Sequence, residues 1–219
     1  MPADTLVARR DQALFALAML TGARVAALVS FRIGHLNVSE GYIEQDARTV
    51  RTKFAKTFRT WLMPVSQLAE QIVGAWHGEL SADLTRGSDD PLFPATTVGL
   101  TPDGLLALIG LAHHGWRTTS PVRAIFRHAF AAVDLPYFNP HGFRDMLVHY
   151  AMSCNLPPEA MKAWSQNLGH ASVLTTFTSY GAIPDHRQGE LVKATGTDAS
   201  QSDITLHNQI AQLVRSAKR

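Results

Sequence analysis

The chain of 219 residues contains a single cysteine, Cys154, and this scarcity excludes two kinds of structure. One thiol cannot form an internal disulfide, and without neighbouring cysteines it cannot contribute to a cysteine-rich zinc site. We expect it to be a buried, inert thiol. No stretch approaches about 18 uninterrupted apolar residues, and the N-terminal sequence lacks the basic-then-apolar order of a secretory signal. We therefore expect a cytoplasmic protein without a membrane span.

Nucleotide-binding loops are also missing from the sequence. Neither G-x-x-x-x-G-K-[ST] nor G-x-G-x-x-G occurs, and no internal repeat is found. The ten histidines leave a metal-dependent hydrolase as one rival interpretation. However, His113, His114 and His141 lack the i, i+4 ligand spacing with a nearby carboxylate that is typical of zinc-binding helices. We expect no cofactor and no metal.

Charge is small in sum but unevenly distributed. The net charge is +2, yet residues 48–59 hold five basic residues and no acidic one, whereas residues 61–105 hold one basic residue and six acidic ones. Such segregation favours one face that meets phosphate, although a charge run is usually a solvated surface. Arg51, Lys56 and Arg59 of this basic segment are the candidate polyanion-binding residues.

Hydrophobic periodicity predicts a mainly α protein with a small antiparallel β-sheet. A strand pair is expected within 42–63, with its turn near Lys53 to Lys56, and residues 81–100 are expected to form a polar loop. The last helix would follow a flexible link and dock on a neighbouring molecule or on its own chain. Helices are predicted over 5–20, 23–31, 65–80, 101–114, 120–133, 141–154, 157–168 and 203–219.

Several residues could carry chemistry, but each has an ordinary structural explanation. His141 and Arg144 lie three residues apart, so a helix starting after Pro140 projects both from one face. Arginine matches two phosphate oxygens and histidine exchanges protons near neutrality, which suits a phosphodiester. A chance H-x-x-R with a surface ion pair is the alternative. Arg24, between two apolar stretches, points into a cleft or pairs with a carboxylate.

The segment LGHASVLTTFTSYG, residues 168–181, contains His170 and Tyr180. Alone, these two residues are compatible with a helix-start histidine and a core tyrosine. However, five motifs taken together and in order resemble the tyrosine recombinase (phage integrase-like) family. These motifs are TGARVAAL, RTKFAKT, HGFR, LGH and a tyrosine ten residues after the histidine of LGH. The resemblance covers about residues 10 to 185, so we expect a catalytic domain over 1–185 and a linker with a C-terminal helix over 186–219.

The resemblance implies site-specific DNA recombination or integration. Tyr180 would be the nucleophile that forms a 3′-phosphotyrosyl bond, and Arg24 and Arg144 would bind the non-bridging oxygens. His141 and His170 would hydrogen-bond the phosphate or move protons. Lys53 would protonate the departing 5′-oxygen, with Lys56 as its competitor for that role. Double-stranded DNA is the implied partner, with homo-oligomerisation into a tetrameric synapse on it.

Some features depart from the family pattern. Ala27 stands where an acidic residue is common, Asp145 follows Arg144, and the interval from His170 to Tyr180 is one residue longer than usual. The helical core-binding domain that usually precedes this domain is expected to be absent, which predicts weak, salt-sensitive DNA binding. A recombinase-derived DNA-binding protein with impaired catalysis is therefore the alternative.

Overall fold

The computed structural model describes residue 1, residues 3–100 and residues 102–194, and for residues 179 and 180 it describes the backbone alone. The helix predicted over 203–219 and the link before it lie outside the described residues. The helices are α1 (Leu6–Thr21), α2 (Val25–Leu28), α3 (Gln67–Gly78), α4 (Ser120–Ala131), α5 (Gly142–Ser153), α6 (Pro158–Asn167), α7 (Val173–Tyr180) and α8 (Asp185–Ala194). The strands are β1 (Leu36–Asn37), β2 (Tyr42–Gln45), β3 (Phe58–Trp61), β4 (Pro94–Leu100) and β5 (Leu106–Gly115).

Helix α1 is the central element of the core. The Thr5 hydroxyl caps its start by accepting a hydrogen bond from the Ala8 N–H (3.1 Å). The ring of Phe15 contacts three phenylalanine rings of α4 and α5, with centroid distances of 4.8, 5.9 and 5.1 Å. The helix ends at Gly22, which has the left-handed φ of 57°. The fully buried leucines that predicted this helix are Leu14, Leu17 and Leu20.

The predicted strand pair is confirmed and gains a third strand. Strands β2 and β3 are antiparallel, with Tyr42 opposite Trp61 and Gln45 opposite Phe58, and the short β1 pairs with β2. The connection from β2 to β3 contains a 3-10 turn, Lys53–Ala55, in which Phe54 has φ 60°. The turn therefore lies where the sequence placed it, with two non-glycine residues in the left-handed region.

A second sheet corrects two predictions. Residues 94–100, predicted as loop, form β4, and residues 106–114 of the helix predicted over 101–114 belong to β5, with which β4 makes an antiparallel hairpin. The sequence Pro102-Asp103-Gly104 lies between the strands, and Gly104 has φ 77°. An Asp-Gly pair between two apolar runs is a strong hairpin signal, and it would have identified this turn.

The remaining helices mostly follow the sequence pattern. The helices predicted within 65–80, 120–133, 141–154 and 157–168 are confirmed as α3, α4, α5 and α6. The helix predicted over 23–31 shrinks to the four residues of α2, and α8 occupies part of the segment expected to be a linker. Cys154 is exposed, so the expectation of a buried thiol is wrong. It follows α5 directly, at a turn instead of on the apolar face of the helix.

The chain divides into two compact units, of which the first is Met1–Tyr180 and the second starts at Gly181. In the described part of the second unit, Arg187 and Glu190 of α8 form an exposed ion pair of 2.8 Å. None of the helices in the described ranges combines the length and the apolar character required to cross a membrane.

Candidate active site

Arg144 is buried and is held by two backbone carbonyls. One terminal nitrogen of its guanidinium donates to the carbonyl of Gly22 (2.8 Å), and the other donates to the carbonyl of Leu168. These carbonyls follow α1 and α6, so each lies at the negative end of a helix dipole. A guanidinium has five N–H donors, so this anchoring leaves three donors for other acceptors.

Two glycines allow this anchoring, and both belong to the sequence motifs. A Cβ on Gly22 would lie 3.1 Å from Cγ of Arg144 and 3.0 Å from Cδ1 of Leu147. Gly169, with φ 71°, would place a Cβ 2.9 Å from the ring of Phe58. Any side chain at either position would therefore meet both backbone strain and close contact. The glycines of TG and LGH are thus required by the local geometry.

Arg24 is half-buried and lies immediately before α2. Burial lowers the pKa of its guanidinium. Within the described side chains it has neither a hydrogen bond nor a carboxylate partner, and Ala27, where a carboxylate could have stood, is buried. Burial and then the charge of Arg24 lower the pKa of Arg144 to about 10, so the two cations act on each other. Their mutual repulsion favours a bound anion.

His170 is the third residue on which the charges of this site act. Its backbone N–H donates to the carbonyl of Ser165 (3.2 Å), and its Nδ1 lies 2.9 Å from the hydroxyl of Thr176. The pKa of His170 is lowered to about 4, first by burial and then by the charges of Arg144 and Arg24. The imidazole is therefore neutral at pH 7. Because the Thr176 hydroxyl can donate or accept, this hydrogen bond is compatible with either neutral tautomer.

His141 and Asp145 act on the same cluster from α5. His141 is exposed immediately before α5, and its backbone N–H donates to Oδ1 of Asn139 (2.8 Å). Its charge further lowers the pKa of His170, so the imidazoles are electrostatically coupled. The carboxylate of Asp145 opposes these shifts by raising the pKa of both His170 and Arg144. Asp145 thus moderates the positive field, and within the described residues it forms no ion pair with either arginine.

The predicted lysines lie apart from this cluster. Lys53 and Lys56 are both exposed in the connection between β2 and β3. The ammonium of Lys53 lies 4.8 Å from the ring centroid of Phe54, itself 79% exposed. Among the described residues, no contact links either lysine to the arginine and histidine cluster. The choice between Lys53 and Lys56 stays open.

The other predicted basic residues occupy two different surfaces. The guanidinium of Arg59 stacks on Tyr42 (4.0 Å to the centroid) and lies 4.0 Å from Glu44. Arg51 instead donates to the carbonyl of Arg117 (3.2 Å). Arg59 therefore faces the sheet surface, whereas Arg51 is directed towards the segment before α4.

Tyr180 is the last residue of α7, and its side chain lies outside the described part of the structure. Helix α7 starts at Val173, three residues after His170, and runs to Tyr180. Its buried residue Thr176 is the partner of His170. The long interval between His170 and Tyr180 is therefore made up of two residues, Ala171 and Ser172, and an uninterrupted two-turn helix.

The sequence analysis missed Asn167, which joins β3 to the site. Its side-chain oxygen accepts from the N–H of Trp61 (2.7 Å), and its side-chain nitrogen donates to the carbonyl of Trp61 (2.9 Å). The backbone carbonyl of Asn167 accepts from the Thr60 hydroxyl (3.2 Å), which in turn accepts from Gln45 (2.8 Å). Strand β3 is thus hydrogen-bonded to the residue before Leu168. This strand follows the turn that contains Lys53, which we call the lysine turn. A lone Asn before LGH carries no sequence signal for this role.

The rival metal interpretation has no matching geometry in the ranges described above. There, no group of three or more His, Cys, Asp or Glu side chains is placed to share a metal ion. His113 and His114 are exposed on β5.

Comparisons with known proteins identify the architecture as the fold of a tyrosine recombinase catalytic domain. The XerA recombinase structure matches with a TM-score of 0.57 and 21% identity, covering 88% of this chain and 58% of that chain. The integrase from mycobacterium phage Brujita has a TM-score of 0.50 and 16% identity, covering 87% and 51%. The Tn1549 transposon integrase, solved with circular intermediate DNA, has a TM-score of 0.50 and 14% identity, covering 86% and 59%.

Sequence comparison points the same way. The tyrosine recombinase XerC of Pseudomonas putida is 22% identical over 204 residues, which is 90% of this chain and 58% of the relative. No family model matches the chain. The chain spans less than two thirds of the length of these relatives. The predicted resemblance and the predicted fold class are confirmed.

Proposed function

We propose that this chain cleaves and rejoins DNA strands at specific sites through a covalent 3′-phosphotyrosyl intermediate. The observation that carries the proposal is the anchoring of Arg144 to the carbonyls of Gly22 and Leu168. Arg24 and His170 each follow one of these residues by two positions, so the segments that carry all three side chains meet at Arg144. Arg24 and Arg144 repel each other and keep His170 neutral, and a phosphodiester fits two arginines and a neutral imidazole.

In the cleavage step, the phenol oxygen of Tyr180 attacks phosphorus and the bond from phosphorus to the 5′-oxygen breaks. Arg24 and Arg144 bind the non-bridging oxygens, where they stabilise the added charge of the five-coordinate transition state. The departing 5′-oxygen takes a proton from Lys53, while the phenol proton leaves to solvent or to a neighbouring base. Rejoining reverses these bonds, so neither ATP nor a metal ion enters the balance.

The histidines assist this transfer in different protonation states. The pKa of His170 at about 4 makes it a neutral hydrogen-bonding group, and the negative charge of a bound phosphate would raise that pKa towards neutrality. His141, exposed immediately before α5 and three residues from Arg144, would contact the same phosphate as Arg144. Double-stranded DNA is the proposed substrate and a homo-oligomer on DNA the proposed assembly.

The test is incubation with a nicked suicide duplex carrying the recombination site, followed by denaturing electrophoresis. We expect a covalent adduct that survives chelator, is lost in Tyr180→Phe and persists in Tyr150→Phe, a matched change at an exposed tyrosine of α5. An adduct in Tyr180→Phe would remove Tyr180 from the mechanism. DNA binding without any adduct would favour the alternative of a recombinase-derived DNA-binding protein.

A further inference from the structure

The imidazole segment is held through the backbone of His170 and through one of its ring nitrogens. The backbone N–H donates to the carbonyl of Ser165 in α6 (3.2 Å), and Nδ1 lies 2.9 Å from the Thr176 hydroxyl in α7. The side chain is half-buried, and among the described residues Nε2 has no hydrogen-bond partner. Nε2 is therefore the ring nitrogen that remains available to a substrate.

The Thr176 hydroxyl is committed to this imidazole. Thr176 is fully buried, with 0% of its surface exposed. A helical threonine commonly donates to the carbonyl four residues earlier in the chain. Thr178 does so, with its hydroxyl 2.8 Å from the carbonyl of Leu174. Within the part of the chain that the structure describes, Thr176 makes no such bond, and the partner of its hydroxyl is His170.

The hydrogen bond alone fits either neutral tautomer of His170, but the hydroxyl proton distinguishes them. With the ring proton on Nδ1, the hydroxyl oxygen would accept it, and the hydroxyl proton would be buried with no acceptor in the described ranges. With the ring proton on Nε2, the hydroxyl donates to Nδ1 and its proton is satisfied. Because an unpaired buried polar group is costly, the second arrangement is favoured.

We propose that Thr176 is a positioning residue that fixes His170 as the Nε2–H tautomer, which then donates a hydrogen bond to a phosphate oxygen. The inference rests on the proposed function, because a phosphodiester is the assumed acceptor. A proton on Nδ1 would instead present the Nε2 lone pair to the anion, and the two would repel. In this role Thr176 acts through His170 and not on the substrate.

The same hydrogen bond connects His170 to the helix of the proposed nucleophile. Thr176 lies about one helical turn before Tyr180 in α7. The segment that carries the imidazole and the helix that carries the tyrosine are therefore joined by a side-chain contact at a buried point. Since the contact orients a group that acts on the reacting phosphate, its loss should slow cleavage more than it weakens DNA binding.

The first test compares Thr176→Val, which removes the hydroxyl at nearly constant shape, with Thr176→Ser, which keeps it. Single-turnover adduct formation on the nicked suicide duplex gives the rate, and equilibrium binding gives the affinity. We expect Thr176→Val to form adduct about tenfold more slowly, the effect of one lost hydrogen bond on a rate. Its DNA affinity should stay within about twofold of wild type, and Thr176→Ser should recover most of the rate.

Thr178→Val is the matched control, because Thr178 is an exposed threonine of the same helix whose hydroxyl bonds its own backbone. It should form adduct at the wild-type rate. Combining Thr176→Val with His170→Ala tests whether Thr176 acts through the imidazole. In the His170→Ala background, Thr176→Val should cause no further slowing. A second tenfold loss there would overturn the proposal, as would a wild-type rate in Thr176→Val or a Thr176→Ser as slow as Thr176→Val.

The second test is NMR of the imidazole nitrogens of His170 in the protein without DNA, at pH 7. We expect wild type to carry the ring proton on Nε2, and Thr176→Val to show a larger share of the Nδ1–H form. A proton on Nδ1 in wild type, or an unchanged ratio in Thr176→Val, would contradict the role of Thr176. A wild-type chain that forms no adduct would instead refute the proposed function, and the tautomer result would still be readable.

Discussion

The side-chain amide of Asn167 spans both backbone hydrogen-bonding groups of Trp61, as a neighbouring strand would. It thereby ties β3, which follows the lysine turn, to the end of α6, which leads into Leu168 and His170. The two hydrogen bonds lie on an exposed edge, so their net contribution to stability is only about 1 to 3 kcal/mol. They also hold β3 against the end of α6, the segment that leads into His170.

We predict that Asn167→Ala slows cleavage of a normal phosphodiester by about tenfold, equivalent to about 1.4 kcal/mol in the barrier. The defect should shrink with a 5′-bridging phosphorothiolate, because a thiolate leaves without needing a proton from the lysine. Single-turnover cleavage of both substrates measures this, with Gln166→Ala on the exposed face of α6 as the control. An equal defect on both substrates would show that Asn167 does not act through the leaving group.

Gly169→Ala should destabilise the fold. Its left-handed φ of 71° costs a non-glycine residue about 1 to 2 kcal/mol, and contact of the new Cβ with Phe58 adds to that. Urea unfolding should show the loss. Gly78→Ala is the control, because Gly78 has helical angles and open space around it. That change should stabilise the protein by about 0.5 to 1 kcal/mol. Wild-type stability in Gly169→Ala would contradict the geometry of the LGH turn.

Substitutions of Arg144 and Arg24 should differ in their effects, because loss of Arg144 lowers the unfolding free energy whereas loss of Arg24 lowers mainly the cleavage rate. Arg144→Ala leaves two buried carbonyls without a donor, so we expect a loss of about 2 to 6 kcal/mol in unfolding free energy. Arg24→Ala removes no described hydrogen bond and relieves repulsion, so its stability should stay within about 0.5 kcal/mol. Its cleavage rate should nevertheless fall by about 10²–10³. Thermal unfolding and adduct formation measured side by side test this, and a stable, fully active Arg24→Ala would exclude Arg24 from the site.

His170 makes stability depend on pH in a defined direction. Its pKa is about 4 in the fold and 6.5 when unperturbed, so between these values the unfolded chain binds the proton more readily. Stability from this residue is therefore complete above about pH 6.5 and declines as pH falls towards 4. Urea unfolding of wild type and His170→Gln over this range should show the wild type losing more stability on acidification. Parallel curves would mean that His170 titrates normally. In Arg24→Ala, NMR titration should find the pKa of His170 higher.

Much of the helical framework could be predicted because its apolar residues recur at helical spacing and its ends carry caps. Helix α1 is an example, with Thr5 at its start and Gly22 at its end. The hairpin of β4 and β5 could not be assigned from the spacing of its apolar residues, since the apolar run over 105–112 fits a helix or a strand equally well. Its pairing with Thr96, Thr97 and Val98 is a contact between segments, which local pattern does not encode.

In the candidate site, too, some residues could be predicted from the sequence and their contacts could not. The motifs indicated Arg24, Arg144, His141 and His170, and the structure brings their charges within reach of one another. The partners that hold them could not be predicted. The acceptors for Arg144 are backbone carbonyls, which exist at every residue and therefore carry no signature in the sequence.

The anchoring of Arg144 from behind has an entropic consequence for DNA binding. Ordering a long charged side chain costs about 2 kcal/mol of rotamer freedom. For Arg144 this entropy is lost when the chain folds and not when it binds DNA, because the carbonyls of Gly22 and Leu168 already immobilise the guanidinium. Arg24, which has no such described anchor, loses its freedom only when the phosphate binds. In the proposed mechanism, Arg144 is thus already ordered before DNA binds, whereas Arg24 would become ordered on binding.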